Sequence, residues 1–86
     1  MPWTVVVAAA ALRSLRRIPP GDRGRIDAVL KRMVDAPFDG DIKRLKNDPR
    51  GAYRRRVGAW RIFFDPSPEN GLLVIQAVER RTSTTY

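Results

Sequence analysis

Cysteine and histidine are both absent from the 86 residues. Without cysteine there is no disulfide to staple a small fold, no thiolate nucleophile and no cysteine-based zinc site. Without histidine the chain lacks the commonest general base and the commonest metal ligand. Any chemistry therefore falls to arginine, lysine, tyrosine, carboxylates or backbone. Long apolar runs are missing as well, and no stretch approaches the roughly 20 apolar residues that span a bilayer. The opening MPWTVVVAAAAL has no basic residue ahead of its apolar run, and Arg13, Arg16 and Arg17 follow it at helical spacing. It reads as folded chain rather than as a signal peptide. A reducing, cytoplasmic setting is expected, with no membrane partner. Negative charge is scarce too. Seventeen Lys and Arg face nine Asp and Glu, for a net charge of +8. Such a balance favours a polyanionic partner.

The length suits one domain spanning residues 1–86. Trp3 to Val7 is aromatic and β-branched and reads as a strand, with Trp3 as its anchor. Ala8 to Arg17 switches to helix formers, with Leu12 and Leu15 on one side. Ile18-Pro19-Pro20-Gly21 breaks the chain. Asp22 is placed to cap a second helix running to about Asp35. Its apolar positions Ile26, Val29, Leu30, Met33 and Val34 form one stripe. Residues 37–50 read as a loop, with Ile42 and Leu45 tucked inward. Strands are expected over 52–57, 60–65 and 72–79, separated by Gly58 and by the turn PSPENG. The pattern is β-α-α-β-β-β. It predicts an α+β fold with a helical hairpin on one face of a small, curled, largely antiparallel four-stranded sheet.

Charge is concentrated on the strands. Residues 43–61 hold eight basic residues against one acidic, a net +7. Side chains alternate across a strand. Trp60, Ile62 and Phe64 share one face, and Arg61 and Phe63 the other. With Val57 in the core, Arg54 and Arg56 join Arg61 on the opposite face. On the last strand, strict alternation groups Leu73, Ile75 and Ala77 inward and Leu72, Val74, Gln76, Val78 and Arg80 outward. The sheet is thereby expected to have an apolar face for folding and a cationic face for binding. Arg55 shares a face with Val57, where an aliphatic residue is expected. Either it lies at a sheet edge and reaches solvent, or it pairs with Glu79 or Asp65. Tyr53 and Trp60 are assigned to the core.

The segment AYRRRVGAWRIFFD, followed by an apolar strand and ERRTSTTY, resembles the RelE/ParE toxin superfamily of bacterial toxin–antitoxin systems. The upstream LRSLRRIPPGDRGRIDAVLKRMVDAPFDGDIKRLKN resembles it too: helix, break, helix, proline, loop, Lys-Leu-Lys order. The similarity covers nearly the whole chain. Arg55 stands where the family usually has an aliphatic residue, and Val78-Glu79 replaces a usual glycine. RelE-like members cut mRNA in the ribosomal A site, whereas ParE-like members poison DNA gyrase. The RelE-like resemblance implies a catalytic set of Arg54, Arg56, Arg61, Arg80 and Tyr86. It implies further RNA contacts by Lys43, Arg44, Lys46, Arg50, Arg55 and Arg81. It also implies an acidic antitoxin and mRNA on the ribosome as partners, with no cofactor and no metal.

Those residue types suit RNA self-cleavage. Arginine grips phosphate oxygens bidentately and stays charged, and fixed charge aimed at a developing oxyanion is usually the largest catalytic effect. A surrounding arginine cluster stabilises the phenolate of Tyr86 and so favours it as proton acceptor. Arg61 or Arg80 would orient the leaving oxygen. The products implied are a 2′,3′-cyclic phosphate and a 5′-hydroxyl. Two other readings stand beside this one: a gyrase poison without nuclease chemistry, and a non-catalytic nucleic-acid-binding module.

Overall fold

Apolar spacing and breaker residues place the elements. In the computed structural model, which describes residues 2–81, the order is β1 (Thr4–Val7), α1 (Ala9–Arg17), α2 (Pro20–Met33), β2 (Ile42–Arg44), β3 (Tyr53–Val57), β4 (Trp60–Ser67) and β5 (Leu72–Arg80). One 3-10 turn, Pro68–Asn70, joins β4 to β5. Helix α2 begins directly at Pro20, because a first-turn residue has no helical acceptor for the N–H that proline lacks. Asp22 was expected as the cap but sits within the first turn. Its carboxylate accepts the Trp60 indole N–H at 3.1 Å and Arg25 at 2.8 Å, tying the start of α2 to β4.

The strands form one sheet in the order β1-β5-β4-β3-β2, parallel between β1 and β5 and antiparallel elsewhere. There are five strands where four were expected. The extra one, β2, lies in the segment read as a loop, and its three residues pair with Arg55, Arg54 and Tyr53. A three-residue strand with one apolar side chain has no periodicity to read. Pairing with β3 and the hydrogen bond from Leu45 N to the Ala52 carbonyl hold it instead.

Both helices cover a single face. Ala11 and Leu15 of α1 and Ile26, Val29 and Met33 of α2 pack on Ile62, Phe64, Leu73, Ile75 and Val78. An aromatic group closes the open end of this core. Tyr53 stacks on Phe64 at 5.6 Å, and Phe38 meets Trp3, Tyr53 and Phe64 at 6.4, 5.2 and 6.1 Å. Tyr53 and Trp60 both pack against the core, on the helix side.

One irregularity alters side-chain direction. Phe63 pairs with Ala77 while Phe64 pairs with Ile75, so Gln76 has no partner across the ladder. Such a bulge reverses the alternation beyond it. Val78 therefore turns inward and is 2% exposed, and Ala77, expected inward, faces away from the helices. Arg80 shares the parity of Val78, which puts it on the helix side rather than on the open face.

Phe64 is fully buried where the aromatic group meets the helix-covered core. Phe64→Ala is expected to cost about 3–5 kcal/mol, read as a fall in the urea midpoint with an unchanged slope.

Candidate nucleic-acid interface

The cationic side chains are aimed by a two-residue hairpin. Gly58 is the first loop residue and has φ +58°, the sign a type II′ connection requires at that position. The turn sets the β3–β4 register, placing Arg56 opposite Arg61 and Arg54 opposite Phe63. Strand β2 then brings Lys43 opposite Arg54. After β5, the Arg81 N–H donates to the Ala59 carbonyl at 2.6 Å, which fastens the chain to the hairpin turn. A cleft of about 340 Å³ results on the face that carries no helix. It is lined by Lys43, Arg50, Arg54, Arg56, Arg61 and Arg81, with Leu45 and Phe63 as its apolar parts.

Little negative charge offsets this cluster. Arg54 has Asp41 at 3.9 Å, a loose contact, and Arg56 donates to the Gly58 carbonyl at 3.4 Å. Lys43, Arg56, Arg61 and Arg81 have no carboxylate within ion-pair distance among the described residues. The Arg61 Nε is buried without an acceptor among the described residues. A buried N–H in that state carries its full desolvation cost until an acceptor arrives. Arg56 and Arg61 are also like charges placed directly across a strand pair, which is unfavourable. An anion in the cleft relieves that repulsion.

Arg50 differs from its neighbours. Its Nε and Nη2 donate to the two Asp48 carboxylate oxygens at 2.9 and 2.7 Å, and Nη1 donates to Glu79 at 2.8 Å. Its guanidinium lies 4.1 Å from the centroid of the Phe63 ring. The side-chain and backbone hydrogen bonds from Arg50 hold the Asp48 carboxyl down at about 2. The same two carboxylates push the Arg50 pKa above its ordinary value.

The cleft thus joins Arg54, Arg56, Arg61, Lys43, Arg50 and Arg81. Other sequence candidates lie elsewhere. Arg80 is on the helix side of the sheet, by the parity reversal at Gln76. Its charge reaches Asp22, whose pKa is lowered chiefly by the Trp60 and Arg25 hydrogen bonds and only slightly by Arg80. Arg55 pairs with Ile62 and also faces the helix side. Its guanidinium lies over Gly40 (φ +91°), where any Cβ would overlap it. It borders a separate cleft against Val29, Met33 and Ala36. Neither Glu79 nor Asp65 is its partner: Glu79 holds Arg50, and Asp65 accepts Ala52 N–H and Gln76. Arg44 and Lys46 are exposed and do not line the cleft. Tyr86 lies outside the described residues. Sequence reasoning put Phe63 on the open face without giving it a role, and it gave the Asp48–Glu79 bracket no role either. The alternation of β4 was the signal for Phe63. Glu79 could be found only through the bulge.

Comparison with solved structures gives the architecture a context. The fold matches a chain of the toxin–antitoxin complex RelBE2 from Mycobacterium tuberculosis at a TM-score of 0.82, with 24% identity over 94% of this chain and 100% of that one. It matches a chain of the archaeal RelE–RelB complex from Pyrococcus horikoshii at 0.81, with 17% identity over 98% and 100%. It matches the isolated E. coli RelE toxin at 0.79, with 14% identity over 95% and 87%. The chain has the RelE fold. No protein-family model and no curated protein matches the sequence. On the RelE-like sheet, the basic cleft occupies the face opposite the helical pair.

The Asp48 carboxyl titrates near 2 in the folded protein, below its ordinary 3.8. Its stabilising contribution is therefore complete above about pH 4 and is lost as the pH falls toward 2. Urea midpoints taken across this range should fall less steeply for Asp48→Asn than for the unmodified protein.

Proposed function

We propose that this chain is the toxin of a type II toxin–antitoxin pair: a cytoplasmic endoribonuclease that cuts mRNA on the ribosome and is neutralised by an acidic antitoxin. The observation that carries this reading is the convergence of Arg54, Arg56, Arg61 and Arg81 on one open cleft of a RelE-like sheet.

The chemistry follows from those groups. The 2′-oxygen of a ribose attacks the adjacent phosphorus and gives up its proton, the bond from phosphorus to the 5′-oxygen breaks, and that oxygen takes a proton. A 2′,3′-cyclic phosphate and a 5′-hydroxyl remain, and the scheme uses no metal. Negative charge grows on the non-bridging oxygens as the phosphorane forms. Guanidinium groups that are already positioned stabilise it without reorganisation. Arg61 suits this role best, because it lines the cleft and no carboxylate pairs with it among the described residues. Arg81 supplies the basic group after β5 that the resemblance assigned to Arg80. Tyr86 remains the candidate proton acceptor. A cluster of arginines without histidine makes a weak nuclease unless the substrate is held in place, which is the task assigned to the ribosome.

The net charge of +8 matches an acidic antitoxin segment that folds as it binds. Such a segment covering the cleft would remove the like-charge repulsion that mRNA also relieves.

The test is mRNA cleavage in a reconstituted translation mixture, read by primer extension. Arg61→Ala is expected to lower cleavage by about 10²–10³-fold. Arg81→Ala is expected to lower it as well, and Arg80→Ala to leave it near the unmodified level. Equal cutting by Arg61→Ala and the unmodified protein would end the nuclease reading. Gyrase-linked DNA breaks with intact mRNA would instead identify a gyrase poison.

A further inference from the structure

We propose that Arg50 is a nucleobase-stacking platform within the cationic cleft, not one of its phosphate clamps. This rests on the reading of the cleft as a site for single-stranded nucleic acid. A guanidinium binds phosphate through the N–H groups in its plane, best as a two-pronged fork. In Arg50 three of the five N–H groups are taken: Asp48 holds the Nε–Nη2 fork, and Nη1 donates to Glu79. The backbone N–H of Arg50 also donates to Asp48, at 2.9 Å, so the pair is held at both ends. One flat face of the group is covered by the Phe63 ring at 4.1 Å, and Phe63 itself is fully buried. The side chain is nonetheless 35% exposed and lines the cleft. With Phe63 on one side and three N–H groups bonded, that exposure is assigned to the side of the group opposite Phe63.

A planar cation held by two carboxylates along most of its edge, with an aromatic ring behind it, has the properties of a stacking surface. Unstacked bases are received on guanidinium planes as well as on aromatic rings. The two carboxylates hold Arg50 flat and also lower its net attraction for phosphate. Arg61 shows the opposite arrangement, with no carboxylate partner and an N–H that has no acceptor among the described residues. The cleft therefore divides its work: Arg54, Arg56, Arg61 and Arg81 take the backbone, and Arg50 takes a base.

The experiment compares two ligands at low ionic strength by fluorescence anisotropy. One is a short 2′-O-methyl RNA, which lacks the attacking hydroxyl. The other is a phosphate chain of equal length built from tetrahydrofuran abasic units. The unmodified protein is expected to prefer the base-bearing ligand by about tenfold, the size of one stacked base. Arg50→Lys keeps the charge but loses the plane. It should abolish that preference while leaving abasic affinity unchanged. Equal affinity of the unmodified protein for both ligands overturns the platform and leaves the nucleic-acid reading standing. Binding of neither ligand overturns both. An equal loss on both ligands in a normally folded Arg50→Lys makes Arg50 a phosphate clamp and overturns the proposal. Should that variant fail to fold, 2-aminopurine placed at each RNA position in turn decides on the unmodified protein. Quenching at one position is expected, and unchanged emission at all of them overturns the platform.

Discussion

Covering the sheet on one side only is the constraint from which the other features follow. The helical pair buries Ile62, Phe64, Leu73, Ile75 and Val78 and leaves the reverse face uncovered. Once one face is committed to the core, strand alternation commits every second residue to the other. The Gly58 turn makes that commitment strict by setting the β3–β4 register: with Ile62 and Phe64 of β4 held in the core, a slip of one residue would turn Arg54 and Arg56 of β3 toward the apolar layer. The positions of the charges are thus a consequence of how the core is packed.

That arrangement has an energetic cost. Arg56 faces Arg61 across the ladder, and among the described residues Arg61 keeps a buried N–H without an acceptor. The aromatic packing of Phe38, Tyr53 and Phe64 and the tie between Trp60 and Asp22 offset such terms elsewhere in the fold. Strain of this kind concentrates where a ligand is received, because the ligand removes it. The Asp48–Arg50–Glu79 bracket is the exception within the cleft. It pairs one cation with two carboxylates and holds it over Phe63, so the cluster contains both open and paired guanidinium groups.

Much of this was legible in the residues. The stripe on α2, the Pro19-Pro20 break and the alternation of β4 predicted the helical pair, the divided sheet and the grouping of Arg54, Arg56 and Arg61. Two features were not legible. Strand β2 is too short and too polar to carry a period. The bulge at Gln76 leaves no mark in composition, because glutamine suits a regular strand as well as a bulge. It is stabilised by contacts from outside the strand, including the Gln76 hydrogen bond to Asp65. Missing it turned Arg80 to the open face, whereas the pairing puts Arg80 opposite Trp60 on the helix side and Glu79 opposite Arg61.

By itself, then, the order of residues determined the type of every helix and strand but β2, the apolar layer and the excess of positive charge on the strands, since each depends on spacing within a few neighbours. Only the tertiary structure decided which cations share a cleft, why Arg55 lies beneath the loop at Gly40, and which carboxylates hold Arg50. Those outcomes depend on pairing between segments far apart in the chain, and one unpaired residue is enough to turn every later side chain to the opposite face.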